Sequence, residues 1–123
     1  MAQPHKILVD EIITAVQRRL GDRVRIFKRP VGLMLTLNGS PLKVGVPGQC
    51  DIYGYIRRDP YGRPFEIEAK YGRDNVKDDQ ESWHNTLHSL KVSYVVIRAI
   101  ERKDIKDAGQ HAADYVEQLA GGL

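Results

Sequence analysis

A chain of 123 residues, 41% hydrophobic and 28% charged, has the size and make-up of one folded domain, which excludes a disordered tail or a low-complexity linker. Its 19 Lys and Arg against 16 Asp and Glu leave a net charge of +3, too slight in itself to declare a polyanionic partner. Cys50 is the only cysteine, so an intramolecular disulfide and a paired-thiol zinc or redox motif are both excluded.

Apolar Ile7, Leu8, Ile12, Ile13, Val16 and Leu20 fall on one helical face, with Gly21 as the stop, which predicts a first amphipathic helix. Val24 to Phe27 and Leu33 to Leu37 predict short strands split by Pro30 and Gly32, and Asn38-Gly39 marks a turn. Gly45, Pro47 and Gly48 predict a flexible loop. A hairpin is expected next, from strand Cys50 to Arg57 through the turn Asp59-Pro60-Tyr61-Gly62 to strand Pro64 to Lys70. Trp83, Leu87 and Leu90 give helical spacing across Asp78 to Leu90, Ser93 to Ile97 predicts a buried strand, and Lys103 to Leu119 predicts a last helix before Gly121-Gly122. The expected fold is a mixed α/β domain spanning 1–123, a central sheet with helices on its faces. MAQPHKILVDEIITAVQ lacks a signal peptide's apolar stretch, and no segment reaches the ~18 apolar residues of a membrane span, so no membrane partner and an intracellular, cytoplasmic setting are expected.

The chemistry concentrates in Phe65-Glu-Ile-Glu-Ala-Lys70. In a strand, residues i and i+2 share a face about 6.6 Å apart, so Glu66, Glu68 and Lys70 point together. Asp51, on the paired strand, is expected within reach of the same cation as Glu68. Two converging carboxylates repel unless a cation or strong donors neutralise them, and a hard divalent cation such as Mg²⁺ resolves the conflict. Lys70 beside it would stabilise charge on a phosphate or orient an attacking water. The plain alternative is a half-exposed strand carrying a ladder of surface ion pairs, each worth little.

Gly45-Val-Pro-Gly48-Gln-Cys-Asp51, a hairpin, Glu68-Ala-Lys70 and then Gln80 early in a helix stand in an order that resembles the virus-type replication-repair nuclease (VRR-NUC) family of the PD-(D/E)XK nuclease superfamily, over roughly Glu11 to Ile97. The resemblance implies a PD-(D/E)XK nuclease core and a DNA endonuclease using Mg²⁺, with Mn²⁺ as a substitute. Asp51 and Glu68 match the metal-binding acids, the Ala69 carbonyl a third ligand, Lys70 the catalytic lysine and Gln80 the glutamine that supports the site. Glu11 resembles the first-helix glutamate that completes the metal shell in many relatives. It further implies branched DNA such as four-way (Holliday) junctions as substrate, a homodimer that cuts two strands, and, for phage-encoded members, the host cytoplasm. Cys50 stands where the family usually has proline, and Leu90 to Tyr94 lacks its usual glycine. Glu66 has no counterpart and reads as an ordinary strand residue.

Around this site, Arg18, Arg19, Arg23, Arg25, Lys28 and Arg29 against the lone acid Asp22 are candidate phosphate contacts, as are Arg73 and Lys77. Arg57, Arg58 and Arg63 surround the hairpin tip. His84 and His88, at i and i+4, lack the glutamate of a zinc-protease motif and are expected on the surface or facing substrate. Tyr53, Tyr55, Tyr61 and Tyr71 read as sheet packing or as stacking platforms for unpaired bases. The competing functions are a non-catalytic nucleic-acid-binding domain and a sequence-specific restriction-type endonuclease on the same fold.

Overall fold

The computed structural model describes residues 3–30, 32–35, 37–44, 46 and 48–121, without the side chains of 32–35 and 42–44. Gly45, Pro47 and Gly122, named in the expected loop and C-terminal stop, lie outside the described residues, as does Thr36 within the expected strand.

Helix α1 spans Pro4–Leu20, starting a turn earlier than the apolar spacing indicates. Proline at the first helical position has a preset φ and no N–H to lose, so it is a favourable start. Leu8, Val9, Ile12, Ala15, Val16 and Leu20 form its buried face, and Gly21 closes it with φ 58°. A 3₁₀ turn over Gly21–Arg23 leads into β1 (Val24–Lys28). Strands β2 (Gly32–Leu35) and β3 (Pro41–Val44) pair with each other as a separate antiparallel ribbon. No strand was expected at β3, because Pro41 and Lys43 interrupt its apolar pattern.

The main sheet adds β4 (Ile52–Ile56), β5 (Arg63–Tyr71) and β6 (Ser93–Ala99) to β1 in the order β1-β4-β5-β6. The first three strands are antiparallel neighbours, and β5 and β6 are parallel. The parallel pair needs a crossover, supplied by α2 (Asp78–Ser89). After β6 a 3₁₀ turn over Arg102–Asp104 precedes α3 (Ile105–Leu119). The fold is therefore α/β with a mixed four-stranded sheet and three helices, as the sequence predicts at that level.

One face of the sheet, with Val24, Ile26, Ile52, Ile56, Phe65 and Ile67, packs with α1 and α3 into a single apolar core. Small residues of α3, Ala108, Gly109, Ala112 and Ala113, let that helix lie close against α1. Phe65 lies across β4 at Gly54, where a Cβ would fall 2.4 Å from the Arg25 carbonyl oxygen and 2.5 Å from the Phe65 ring. Only glycine fits there.

Because β5 has a strand on each side, a helix pair beneath it and α2 above, it is buried on both faces. Glu66, Glu68 and Lys70 are 7%, 2% and 6% exposed. That removes the reading of Glu-x-Glu-x-Lys as a half-exposed surface ladder. Among the described residues no helix is long and apolar enough to cross a membrane.

Candidate active site

On the face of β5 turned away from the apolar core, Glu66, Glu68 and Lys70 alternate with Phe65, Ile67 and Ala69. The antiparallel register Ile52↔Ile67, continued by one residue, sets Asp51 opposite Glu68. Asp51 Oδ2 accepts a hydrogen bond from the Ala69 N–H at 3.1 Å, which locks the carboxylate against β5. Asp51, Glu68, Lys70 and Gln80 line one open cleft of about 470 Å³, with His5, Asp74 and Lys77 at its walls. The acids and the lysine singled out by spacing, and the glutamine implied by the resemblance, are thus brought together.

Gln80 is the tie between them. Its Oε1 accepts from Lys70 Nζ at 2.6 Å and from the Lys77 backbone N–H at 3.0 Å, while its Nε2 donates to Glu68 Oε2 at 3.1 Å. One amide side chain therefore caps the first turn of α2, holds the Lys70 amine and fixes the Glu68 carboxylate. Helix α2 can approach because Gly48, at φ +88°, passes so close that a Cβ there would sit 2.1 Å from the Asp79 carbonyl oxygen.

Glu66, read as an ordinary strand residue, is instead the anchor of a second cluster. Its carboxylate accepts two bonds from Arg29, at 2.7 and 3.3 Å, and one from Trp83 Nε1 at 2.9 Å. The Arg29 guanidinium also lies 4.5 Å over the Tyr53 ring. Four elements meet there: the end of β1, then β4, β5 and α2.

Glu11 does not reach the cleft. Its Cγ lies along α3, 3.1 Å from where a Cβ on Gly109 would be. His5 takes the place on α1 expected for Glu11: its Nε2 is 3.1 Å from the Ala69 carbonyl oxygen and 3.3 Å from Asp51 Oδ2. Six residues further along a helix is ~9 Å of rise and about 120° of rotation away, so α1 cannot present both residues to the same site. His5 was not legible from the sequence, since it precedes the apolar pattern and stands 46 positions before Asp51.

Burial, and then the Asp51 carboxylate beside it, push the Glu68 carboxyl up to about 8. Burial also pushes Asp51 up, but the His5 and Ala69 hydrogen bonds outweigh it and leave Asp51 below its ordinary value. His5 is raised by its hydrogen bond to Asp51. Glu68 and His5 both have folded values above their unfolded ones, so their stabilisation is complete at lower pH and is lost as pH rises, for Glu68 through about 8. The melting temperature of the metal-free protein is therefore expected to fall between about pH 5 and about pH 8. Glu68→Gln should remove most of that slope in a thermal melt series with chelator, and an unchanged slope would refute the assignment.

Beneath the cleft, a Cys50 thiol, a Glu68 oxygen and a His84 ring nitrogen lie within 4.8 Å of one another, all buried. Burial, with Glu66 and Glu68 adding to it, pushes the Cys50 thiol well above its usual range, which disfavours the thiolate a metal would need. His84 is enclosed, its ring stacked 4.6 Å from Tyr94, and not at the surface or facing substrate as its sequence position suggests. Glu68 Oε1 and His84 Nε2 are, among the described residues, the buried side-chain atoms without a hydrogen-bond partner.

The cationic candidates divide. Arg18, Arg25, Arg73 and Lys77 are exposed and make no ion pair among the described residues, and Lys77 stands on the cleft wall. Arg19 is instead held on α3 by Asp114, Gln110 and Glu117, Lys28 pairs with Asp10 at 3.2 Å, and Arg29 is committed to Glu66. These three corrections share a cause: α1 packs on α3 and against β1, and Arg29 at the end of β1 reaches past β4 to β5, so acids remote in sequence reach the cations. Tyr55 and Tyr61 are exposed; Tyr53 is half-buried between Phe27 and Arg29.

No family model matches this chain, and no solved structure does. Short segments are similar to lipoyl synthases: 36% identical over 59 residues in the Vibrio cholerae protein, 46% of this chain and 18% of that one, and 41% identical over 59 residues in the Bordetella pertussis protein, 46% and 17%. The chain spans less than a fifth of the length of these relatives, and a likeness so confined carries no assignment of activity.

Proposed function

We propose that the protein is a divalent-metal-dependent endonuclease that hydrolyses DNA phosphodiester bonds, built on a PD-(D/E)XK core of the VRR-NUC kind. The observation that carries this reading is the convergence of Asp51, Glu68 and Lys70 on one cleft, with Glu68 Oε1 buried and unpartnered. A buried carboxylate oxygen without a donor fits a cation, and the oxygen set of Asp51, Glu68 and the Ala69 carbonyl suits Mg²⁺, with Mn²⁺ as a substitute. Such an ion supplies Lewis-acid stabilisation of the phosphate and lowers the pKa of a water.

The chain's own groups do the rest. Lys70, held by Gln80, offers its remaining N–H donors to a phosphate oxygen and neutralises charge developing on it. Lys77 and Arg73 lie next along the chain for the neighbouring phosphates, and Arg18 and Arg25, exposed and without an ion pair among the described residues, serve more distant ones. Branched DNA such as a four-way junction, cut by a homodimer in the cytoplasm, completes the proposal, since symmetric incision of a two-fold substrate needs two sites.

The test is incubation of the protein with a labelled four-way junction, a flap and a linear duplex in Mg²⁺, Mn²⁺ or EDTA, beside Asp51→Ala. Junction cleavage that needs metal and Asp51 is expected, from a species that light scattering sizes as a dimer. Binding without cleavage in either metal would leave a DNA-binding domain, and cleavage of linear duplex at one sequence a restriction-type enzyme. A monomer both free and on DNA refutes paired incision.

A further inference from the structure

We infer that His5 is a ligand of the metal, completing the shell that Glu11 does not reach, and that its imidazole turns the site's preference from Mg²⁺ towards Mn²⁺. The inference rests on the metal-dependent reading above and concerns which ion that site is made for. Its basis is the position of one atom. His5 Nε2 stands 3.1 Å from the Ala69 carbonyl oxygen and 3.3 Å from Asp51 Oδ2, and these are two of the three oxygen donors assigned to the ion. Adjacent ligands of an octahedral ion with bonds of about 2.1 Å are ~3.0 Å apart, so the two separations match edges of such a shell opened by a few tenths of an ångström.

A hydrogen-bonding role alone accounts for the geometry less well. One Nε2–H shared between two oxygens makes a three-centre bond that is weak to each, and both distances exceed the ~2.7–2.9 Å of a charge-assisted bond. Asp51 Oδ2 already has a donor in the Ala69 N–H. The imidazole is also held in place without the ion: Pro4 starts α1 immediately before it, Leu8 and Val9 root the first turns in the core, and the ring is half exposed along the cleft wall.

Imidazole nitrogen is a poor partner for Mg²⁺, which demands oxygen, and a good one for first-row transition ions, among which Mn²⁺ keeps the tolerance for carboxylate and carbonyl oxygen that Asp51, Glu68 and Ala69 require. The ring ligates as the neutral base, so its proton leaves as the ion enters.

The experiment is a Mn²⁺ titration of the full chain followed by electron paramagnetic resonance, with pulsed detection of nitrogen coupled to the bound ion, on wild type, His5→Gln and His111→Gln. Wild type and His111→Gln are expected to show the coupling of a coordinated imidazole. His5→Gln, which keeps a polar side chain at the start of α1, should lose it, bind Mn²⁺ roughly tenfold more weakly and alter Mg²⁺ affinity much less. Bound Mn²⁺ without nitrogen coupling in wild type, coupling that survives in His5→Gln, or no Mn²⁺ binding at all would each overturn the inference. Cleavage of DNA without the coupling refutes His5 alone, whereas the coupling without cleavage of any DNA refutes the nuclease reading and leaves the ligand in place.

Discussion

Substituting Lys70 with methionine is expected to leave the fold intact and to lower metal-dependent DNA cleavage by about 10³-fold, the usual cost of removing one preorganised charge from the transition state. The stem of Lys70 is buried, 6% exposed for the whole residue, and methionine fills a similar unbranched volume. Gln80 loses one of the two donors to its Oε1 but keeps the Lys77 N–H, so α2 retains its cap. The loss should therefore appear in kcat with an unchanged melting temperature and with Mn²⁺ still bound. Activity within threefold of wild type would remove Lys70 from the chemistry. A lost fold would be read from the melt and kept apart from that outcome.

Arg29→Met is expected to destabilise the protein by about 3–5 kcal/mol, because it leaves the Glu66 carboxylate buried without a cation, with the Trp83 N–H and the Cys50 thiol as its neutral donors. The side chains of Arg29 and Glu66 are 16% and 10% exposed, so water cannot take the place of the guanidinium. Arg29→Lys should recover little, since one ammonium cannot make both forked contacts and also lie flat over Tyr53. The double substitution Arg29→Met, Glu66→Gln removes the uncompensated charge and should regain at least half of the loss in urea unfolding. A cost below about 1 kcal/mol for Arg29→Met would show that this pair behaves as an exposed one.

Both expectations turn on β5, and how much of β5 was legible differs from face to face. Its alternation is a property of local sequence, and so is the separation of Glu68 from Lys70, so the strand and its polar face were visible in six letters. The approach of Asp51 followed from a hairpin whose turn residues are equally local. Gln80 was placed by the family resemblance and not by local spacing, since the first turn of α2 is polar at Asp78, Asp79, Gln80 and Glu81 alike.

Burial of that polar face was not legible. It depends on β6 pairing beyond it and α2 lying above it, and on Gly48 letting α2 come close. Glu66 therefore passed for an ordinary strand residue, although Arg29 and Trp83, at 37 and 17 positions' distance, close on it from two other elements. His84 likewise passed for a surface residue on the strength of a polar neighbourhood in sequence.

What the sequence by itself determined is periodicity, turn chemistry and the shared strand face of Glu68 and Lys70, because each arises from backbone geometry within a few residues. The tertiary structure alone decided which charges meet: that His5 and not Glu11 faces Asp51, that Arg19, Lys28 and Arg29 are held by acids on other elements while Arg73 and Lys77 make no ion pair among the described residues, and that Glu68 lies deep enough for its carboxyl to resist ionisation. Coulomb and desolvation energies depend on distance through space and on exclusion of water, and neither is written in the order of residues along a chain.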